Sequence, residues 1–193
     1  MVLRRTHCVR RTLAWMRRWG RNDAGNTSIE FGFVALPFLM LLFGIMSVCL
    51  YFFVNFTLEN AVWQTSRALR TGQVQQSQGA YSQAQTTEDR KKAFKKTLCA
   101  KVPGFIDCDG KAIVIVQSNA SFGGIAEPQC ATNGVIMDEA AATFDTGGTS
   151  SVVLVTVCYP WEFGGKLPFI RLGNLADGSL LMQASVAFRA EPY

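Results

Sequence analysis

Residues 31–58 read FGFVALPFLMLLFGIMSVCLYFFVNFTL, 28 residues without a charged side chain. Wound as an α-helix, the stretch is about 42 Å long, more than the roughly 30 Å hydrocarbon core of a bilayer. A cleaved secretory signal is a poor alternative. Its apolar region runs about 7–15 residues and ends at a small-x-small cleavage site, and neither condition is met here. A helix buried in a soluble core fails on size, because a chain of 193 residues keeps only about 100 beyond its membrane segment and leader, too few to surround it. The stretch therefore predicts a retained membrane anchor followed by one small domain.

Charge orients the anchor. The chain carries a formal net charge of +5, but residues 1–25 hold seven arginines against a single acid, Asp23. The remaining residues carry 12 basic and 13 acidic side chains. A phosphate-binding domain needs its basic patch on the folded part, so nucleic acid is excluded as a partner. Near the apolar run, Arg10, Arg11, Arg17, Arg18 and Arg21 precede it, and only Arg67 and Arg70 follow closely. Positive flanks stay in the cytoplasm. The N-terminus is expected inside, in contact with membrane lipid through the helix, with everything beyond about Leu58 in the periplasm of a bacterial inner-membrane protein.

The junction reads Gly25-Asn26-Thr27-Ser28-Ile29-Glu30-Phe31-Gly32-Phe33-Val34-Ala35-Leu36-Pro37. Glu30 stands out, since a carboxylate at bilayer depth costs on the order of 2.5–3.5 kcal/mol and calls for a partner. Its simpler reading is a headgroup-level acid at a helix N-terminus, where negative charge is favoured. Glycine followed five positions later by Glu, with an aromatic beside it, resembles the processing site of type IV prepilins and Flp-type pilins. Further along come Leu36-Pro37, an apolar run broken by Gly44, then Leu58-Glu59-Asn60-Ala61 and Ser66-Arg67-Ala68. In that order, from Gly25 to Arg67, these elements resemble the TadE-like family of tight-adherence pilus assembly proteins. Val152–Pro160 and the ending Phe188-Arg-Ala-Glu-Pro-Tyr193 are similar to those proteins too.

The resemblance implies a pseudopilin or minor pilin-like subunit, cut after Gly25 by a prepilin peptidase so that Asn26 becomes the new N-terminus. Glu30, next to Phe31, would then pair with the α-amino group of a neighbouring pilin-like subunit, since opposite charges attract strongly where the dielectric is low. Asn26 departs from the aliphatic or aromatic residue at the first mature position of many pilins, which argues against methylation there. The alternative reading is a periplasmic ligand-binding or thiol-redox domain on an uncut anchor. Pro37 lies inside the helix pattern as a tolerated membrane proline. Gly32, Gly44 and Ser47 are read as packing residues, not chemistry.

Past the anchor, Leu58, Val62, Ser66 and Leu69 fall on one helical face, so the membrane helix is expected to continue as a periplasmic helix until Thr71-Gly72. Residues 1–25 thus form the leader, 26–72 the membrane helix and its extension, 73–87 a linker rich in Gln, Ser, Ala and Thr, and 88–193 the exported domain. In that domain Glu88–Val102 reads as a helix with acids in its first turn and an end at Pro103-Gly104. Its lysines, Lys91, Lys92, Lys95 and Lys96, read as a solvated face. Lys111–Gln117, Ser151–Tyr159 and Leu180–Arg189 read as strands, and Met137–Phe144 as a short helix. The expected fold class is α+β: a long N-terminal helix and a small antiparallel sheet.

Cys8 falls in the leader and Cys49 in the anchor, leaving Cys99, Cys108, Cys130 and Cys158 in an oxidising compartment. Of three connectivities, Cys99–Cys108 with Cys130–Cys158 is preferred, because the first pair flanks a Pro-Gly turn. A metal site is disfavoured, as there is no Cys-x-x-Cys and the sole histidine, His7, precedes the anchor. No nucleophile has a histidine near it, the carboxylate pairs Asp138-Glu139 and Asp107 with Asp109 lack a surrounding motif, and no phosphate or dinucleotide loop occurs. No enzymatic activity and no cofactor are expected. Trp161, Phe163 and Phe169 make an aromatic loop after the second strand, read chiefly as core.

Overall fold

A computed structural model describes residues 26–166 and 172–193. The leader, with Gly25, and the segment holding Pro168 and Phe169 lie outside the described residues. Helix α1 covers Asn26–Arg70, 45 residues, with Pro37 inside it. Its ladder survives the missing N–H of Pro37, which is tolerated in an apolar helix. The chain divides into two compact units, Met1–Ile45 and Met46–Tyr193. In the first, the described residues are almost wholly exposed apolar helix.

In the second unit α1 changes character. Val54, Leu58, Ala61, Val62, Thr65, Ser66 and Leu69 are all buried, at spacings of three and four that keep them on one stripe. The helix therefore ends as an amphipathic element packed on the domain. It stops at Gly72, whose φ of 76° suits a residue without a Cβ. There the Val74 N–H donates to the Ala68 carbonyl at 3.3 Å.

Residues 73–87, expected as a linker, are folded in. Val74, Tyr81 and Ala84 are buried, and the Gln75 amide donates to the carbonyls of Leu69 and Thr146 at 3.1 and 3.0 Å. Three well-spaced apolar side chains suffice to pin a stretch that is polar on average. Helix α2, Thr87–Cys99, starts at a capping box: the Asp89 N–H donates to Thr86 Oγ1 at 3.1 Å, and the Thr86 N–H donates to the Asp89 carboxylate at 3.3 Å. A single turn, α3 (Cys108–Lys111), leads into the sheet.

The strands are β1 (Ile113–Asn119), β2 (Ala131–Thr132), β3 (Val135–Ile136), β4 (Val152–Trp161) and β5 (Leu180–Arg189). The main sheet has the order β1-β4-β5 and is antiparallel throughout, with Val155 opposite both Val116 and Val186. β4 is buried along nearly its whole length because both faces are covered. Val153, Val155, Val157, Tyr159 and Trp161 join the core with α1 and α2, whereas Cys158 packs with Ile113, Ile115, Cys130 and Ala142 on the other side. The α+β class stands: a long apolar helix followed by a small antiparallel sheet domain.

The excursion between β1 and β4 supplies that second cover. β2 and β3 form a hairpin through Asn133-Gly134, both at positive φ. The helix expected over Met137–Phe144 is instead one 3₁₀ turn, Glu139–Ala141, after which Phe144 runs parallel to Val116. Lys91 explains the difference. Its buried ammonium takes the carbonyls of Glu139 and Ala142 at 2.7 and 3.0 Å, acceptors a continuing helix would need for itself.

Candidate functional site

The residues singled out in the sequence fall at two places. Asn26 opens α1, and Glu30 and Phe31 follow in its first turns, both exposed. From there the helix presents a nearly uninterrupted apolar surface: Phe31 is 73% exposed and Phe33 80%, in a region with no charged side chain until Glu59. Among the described residues, α1 is the helix long and apolar enough to cross a membrane. Such exposure is intolerable in water and ordinary in lipid.

The apolar run ends in a collar of rings. Tyr51 and Phe52 meet edge to face with centroids 5.3 Å apart, Phe52 stacks on Phe56 at 6.0 Å, and Trp63 is exposed one to two turns on. Amphipathic aromatic side chains favour the boundary between hydrocarbon and headgroups. Polar side chains take over on the same turns: the Asn55 amide donates to Glu59 at 2.8 Å, and the Thr57 hydroxyl donates to the Phe53 carbonyl at 2.6 Å.

One member of the collar escaped the sequence reading. Phe105, 67% exposed, stacks on Phe53 with centroids 6.0 Å apart and planes 23° from parallel. It sits in the loop that the Cys99–Cys108 disulfide closes. The signal was a bulky apolar residue after Pro103-Gly104, where a turn exposes whatever follows.

The second place is the disulfide-bonded domain. Cys99 bonds to Cys108 and Cys130 to Cys158, and all four are buried. The first bridge ties the end of α2 to α3, and the second ties the covering excursion to the central strand. Below the Phe105 loop, Lys111 pairs with Glu162 at 2.6 Å and with Asp107 at 3.9 Å. The Glu162 hydrogen bond raises the Lys111 pKa, and the same bond lowers that of Glu162. Burial pushes the Tyr159 phenol up. Trp161 packs in the core, its ring 6.0 Å from that of the half-exposed Phe163.

Along α1 and β5 runs an open groove of about 650 Å³, lined by Trp63, Arg67, Arg70, Val186, Phe188 and Glu191 among others. On its rim Arg70 pairs with Glu191 at 3.0 Å, and the Lys101 ammonium donates to the Gln64 side-chain oxygen at 3.3 Å. Among the described residues no cluster of His, Cys, Asp or Glu is arranged to hold a metal ion.

Among the described residues, one helix long and apolar enough to span a membrane, followed by an α+β domain with two disulfides, defines the class: a protein consistent with a single-pass membrane anchor and a small covalently braced domain. Within that class, residues 25–67 match the family model described as TadE-like protein. The matched stretch runs from the leader junction through the whole exposed run of α1 and into its packed stripe. Comparison with curated proteins and with solved structures gives no match.

Proposed function

We propose that this protein is a pseudopilin or minor pilin-like subunit that acts in assembly of a tight-adherence type IV pilus. The observation that carries the reading is the coincidence of the TadE-like match with one continuous structural object: an exposed apolar helix that starts at Asn26, bears Glu30 in its first turns and ends in a domain-packed stripe. Helices of this kind associate side by side in the membrane. The arginine-rich leader is cytoplasmic, and the disulfide-bonded domain faces the periplasm, where such bonds persist.

In this reading a prepilin peptidase cuts after Gly25. Asn26 then carries a free α-amino group, and Glu30 of one subunit pairs with that amine on a neighbour, fixing the axial stagger of adjacent helices. Neither charge is comfortable alone at bilayer depth, so pairing favours the assembled register. The partners are membrane lipid, the peptidase and other pilin-like and pilus-assembly proteins.

The test is the N-terminal sequence and intact mass of the protein from its native host, with and without Gly25→Ala. A mature start at Asn26 that vanishes in the variant supports the reading. A chain starting near Met1 in both samples overturns processing and leaves a permanently anchored factor.

A further inference from the structure

The domain touches its own anchor at one point that burial does not explain. Phe105 leaves two-thirds of its surface exposed while stacking on Phe53. Phe53 belongs to the charge-free run, which continues to Leu58. From Phe31 to Phe53 the helix climbs about 33 Å, close to the thickness of a bilayer's hydrocarbon core. Whatever stacks on Phe53 therefore lies at the boundary where the apolar run leaves the lipid.

The loop that holds Phe105 suits that level. Its exposed tip, Gly104-Phe105, stands between the exposed polar residues Lys101 and Asp107, while Val102 and Ile106 anchor it to the core. The Ile106 N–H donates to the Pro103 carbonyl at 2.9 Å, and the Cys99–Cys108 bond closes the base. A braced apolar tip with polar shoulders is built to dip into a surface and go no deeper. The ring enters it with little conformational entropy left to lose.

We propose that the Cys99–Cys108 loop is a second membrane contact, with Phe105 inserted beside Phe53 and Phe56 into the headgroup boundary of the bilayer that α1 spans. The contact rests on the reading of α1 as a spanning helix. Lipid is the occupant because the ring's neighbour is itself on the lipid-facing run, so the two surfaces are continuous. An aromatic ring at this boundary is more stable than one in water. Two points of attachment set the tilt of the domain over the membrane, where one helix alone leaves it free to swivel.

The experiment uses the full chain in vesicles of phosphatidylethanolamine and phosphatidylglycerol. A photoreactive benzoyl derivative of phenylalanine replaces Phe105, Leu41 or Phe122 in turn, and adducts are identified by mass. Leu41 samples mid-span, and Phe122 is exposed on the loop after β1. Lipid adducts at 105 and 41, with their loss at 122, are expected. Lipid at 41 but no lipid adduct at 105, with only protein adducts there, overturns the membrane contact while leaving the anchor intact. Loss of lipid adducts at 41 removes the spanning reading and the contact with it. Alkylation under non-reducing conditions, read on the same samples, certifies that both disulfides are in place.

Discussion

Arg70 and Glu191 are joined twice: the Glu191 N–H donates to the Arg70 carbonyl at 2.9 Å, and the guanidinium meets the Glu191 carboxylate at 3.0 Å. The last residues of the chain thus close over the end of α1, and the Tyr193 ring lies where a Cβ on Gly72 would go. The ion pair is half exposed, so Arg70→Ala is expected to cost under about 1 kcal/mol. Gly72→Ala is expected to cost more, about 1–2 kcal/mol, because it adds left-handed backbone strain and displaces the tyrosine. Urea unfolding of the detergent-solubilised chain checks the order. In the Gly72→Ala/Tyr193→Ala double variant the two costs fall short of additivity, since one removes the clash the other creates.

Lys91 links α2 to the carbonyls of Glu139 and Ala142, and it is buried. Lys91→Ala leaves the buried Ala142 carbonyl without its lysine donor, at about 1–3 kcal/mol, whereas the Glu139 carbonyl keeps the Ala142 N–H at 3.2 Å. The neighbouring Lys95–Glu139 pair is more exposed on its acidic side and keeps the turn near α2. The variant is therefore expected to fold with the Met137–Asp145 excursion loosened. Amide exchange of Val116 and Asp145, which bond across β1 and this excursion, rises before that of β4.

The long-range periodicities were legible in the sequence. Leu58, Val62, Ser66 and Leu69 were separable as a buried face because a helix repeats every three to four residues whatever it packs against. The β5 bounds, Leu180–Arg189, follow from a run of apolar residues between turn residues. The excursion was not legible as such, because its structure is fixed from outside. Lys91 reads as a surface lysine until Glu139 and Ala142 are seen to present their carbonyls to it. The β2–β3 hairpin was missed despite Asn133-Gly134, a dipeptide suited to positive φ at both positions, because each strand has only two residues and no alternation to display. Glu30 is where sequence reasoning reaches its limit: the role proposed for it needs a neighbouring subunit.

Three exposed acids are held below the usual carboxylate range. The Ser179 hydroxyl and N–H bind Asp177, the Thr86 hydroxyl and N–H bind Asp89, and the Lys111 ammonium binds Glu162. A carboxylate with a depressed folded pKa contributes stability that is present above its unfolded pKa and lost as the pH falls through the folded value. Stability is therefore expected to hold from neutral pH down to about 5 and to decline below about 4, the unfolded range of Asp and Glu. Lys111 works in the opposite sense: its raised pKa contributes stability that is complete below about 10.4 and lost above. Lys111→Met removes the lowering of Glu162, so a carboxyl-carbon NMR titration is expected to show Glu162 moving up while Asp89 stays in place.

The two disulfides close loops of different length, with sequence separations of 9 and 28. If their effect is mainly to restrict the unfolded chain, replacing both cysteines of a pair by serine costs about 2.7 kcal/mol for Cys99–Cys108 and about 3.6 kcal/mol for Cys130–Cys158. Position reinforces the difference. Cys158 lies in the fully buried centre of the sheet and Cys130 in the layer that covers it, so loss of that bridge also frees the cover over Ile113 and Ile115. Loss of Cys99–Cys108 instead relaxes the base of the Phe105 loop while α2 keeps Phe94 and Leu98 in the core. Urea unfolding is expected to rank the Cys130→Ser/Cys158→Ser variant as the less stable. Limited proteolysis is expected to cut the Cys99→Ser/Cys108→Ser variant first between the two altered positions, where Lys101 is exposed beside a loop that no longer has a covalent base.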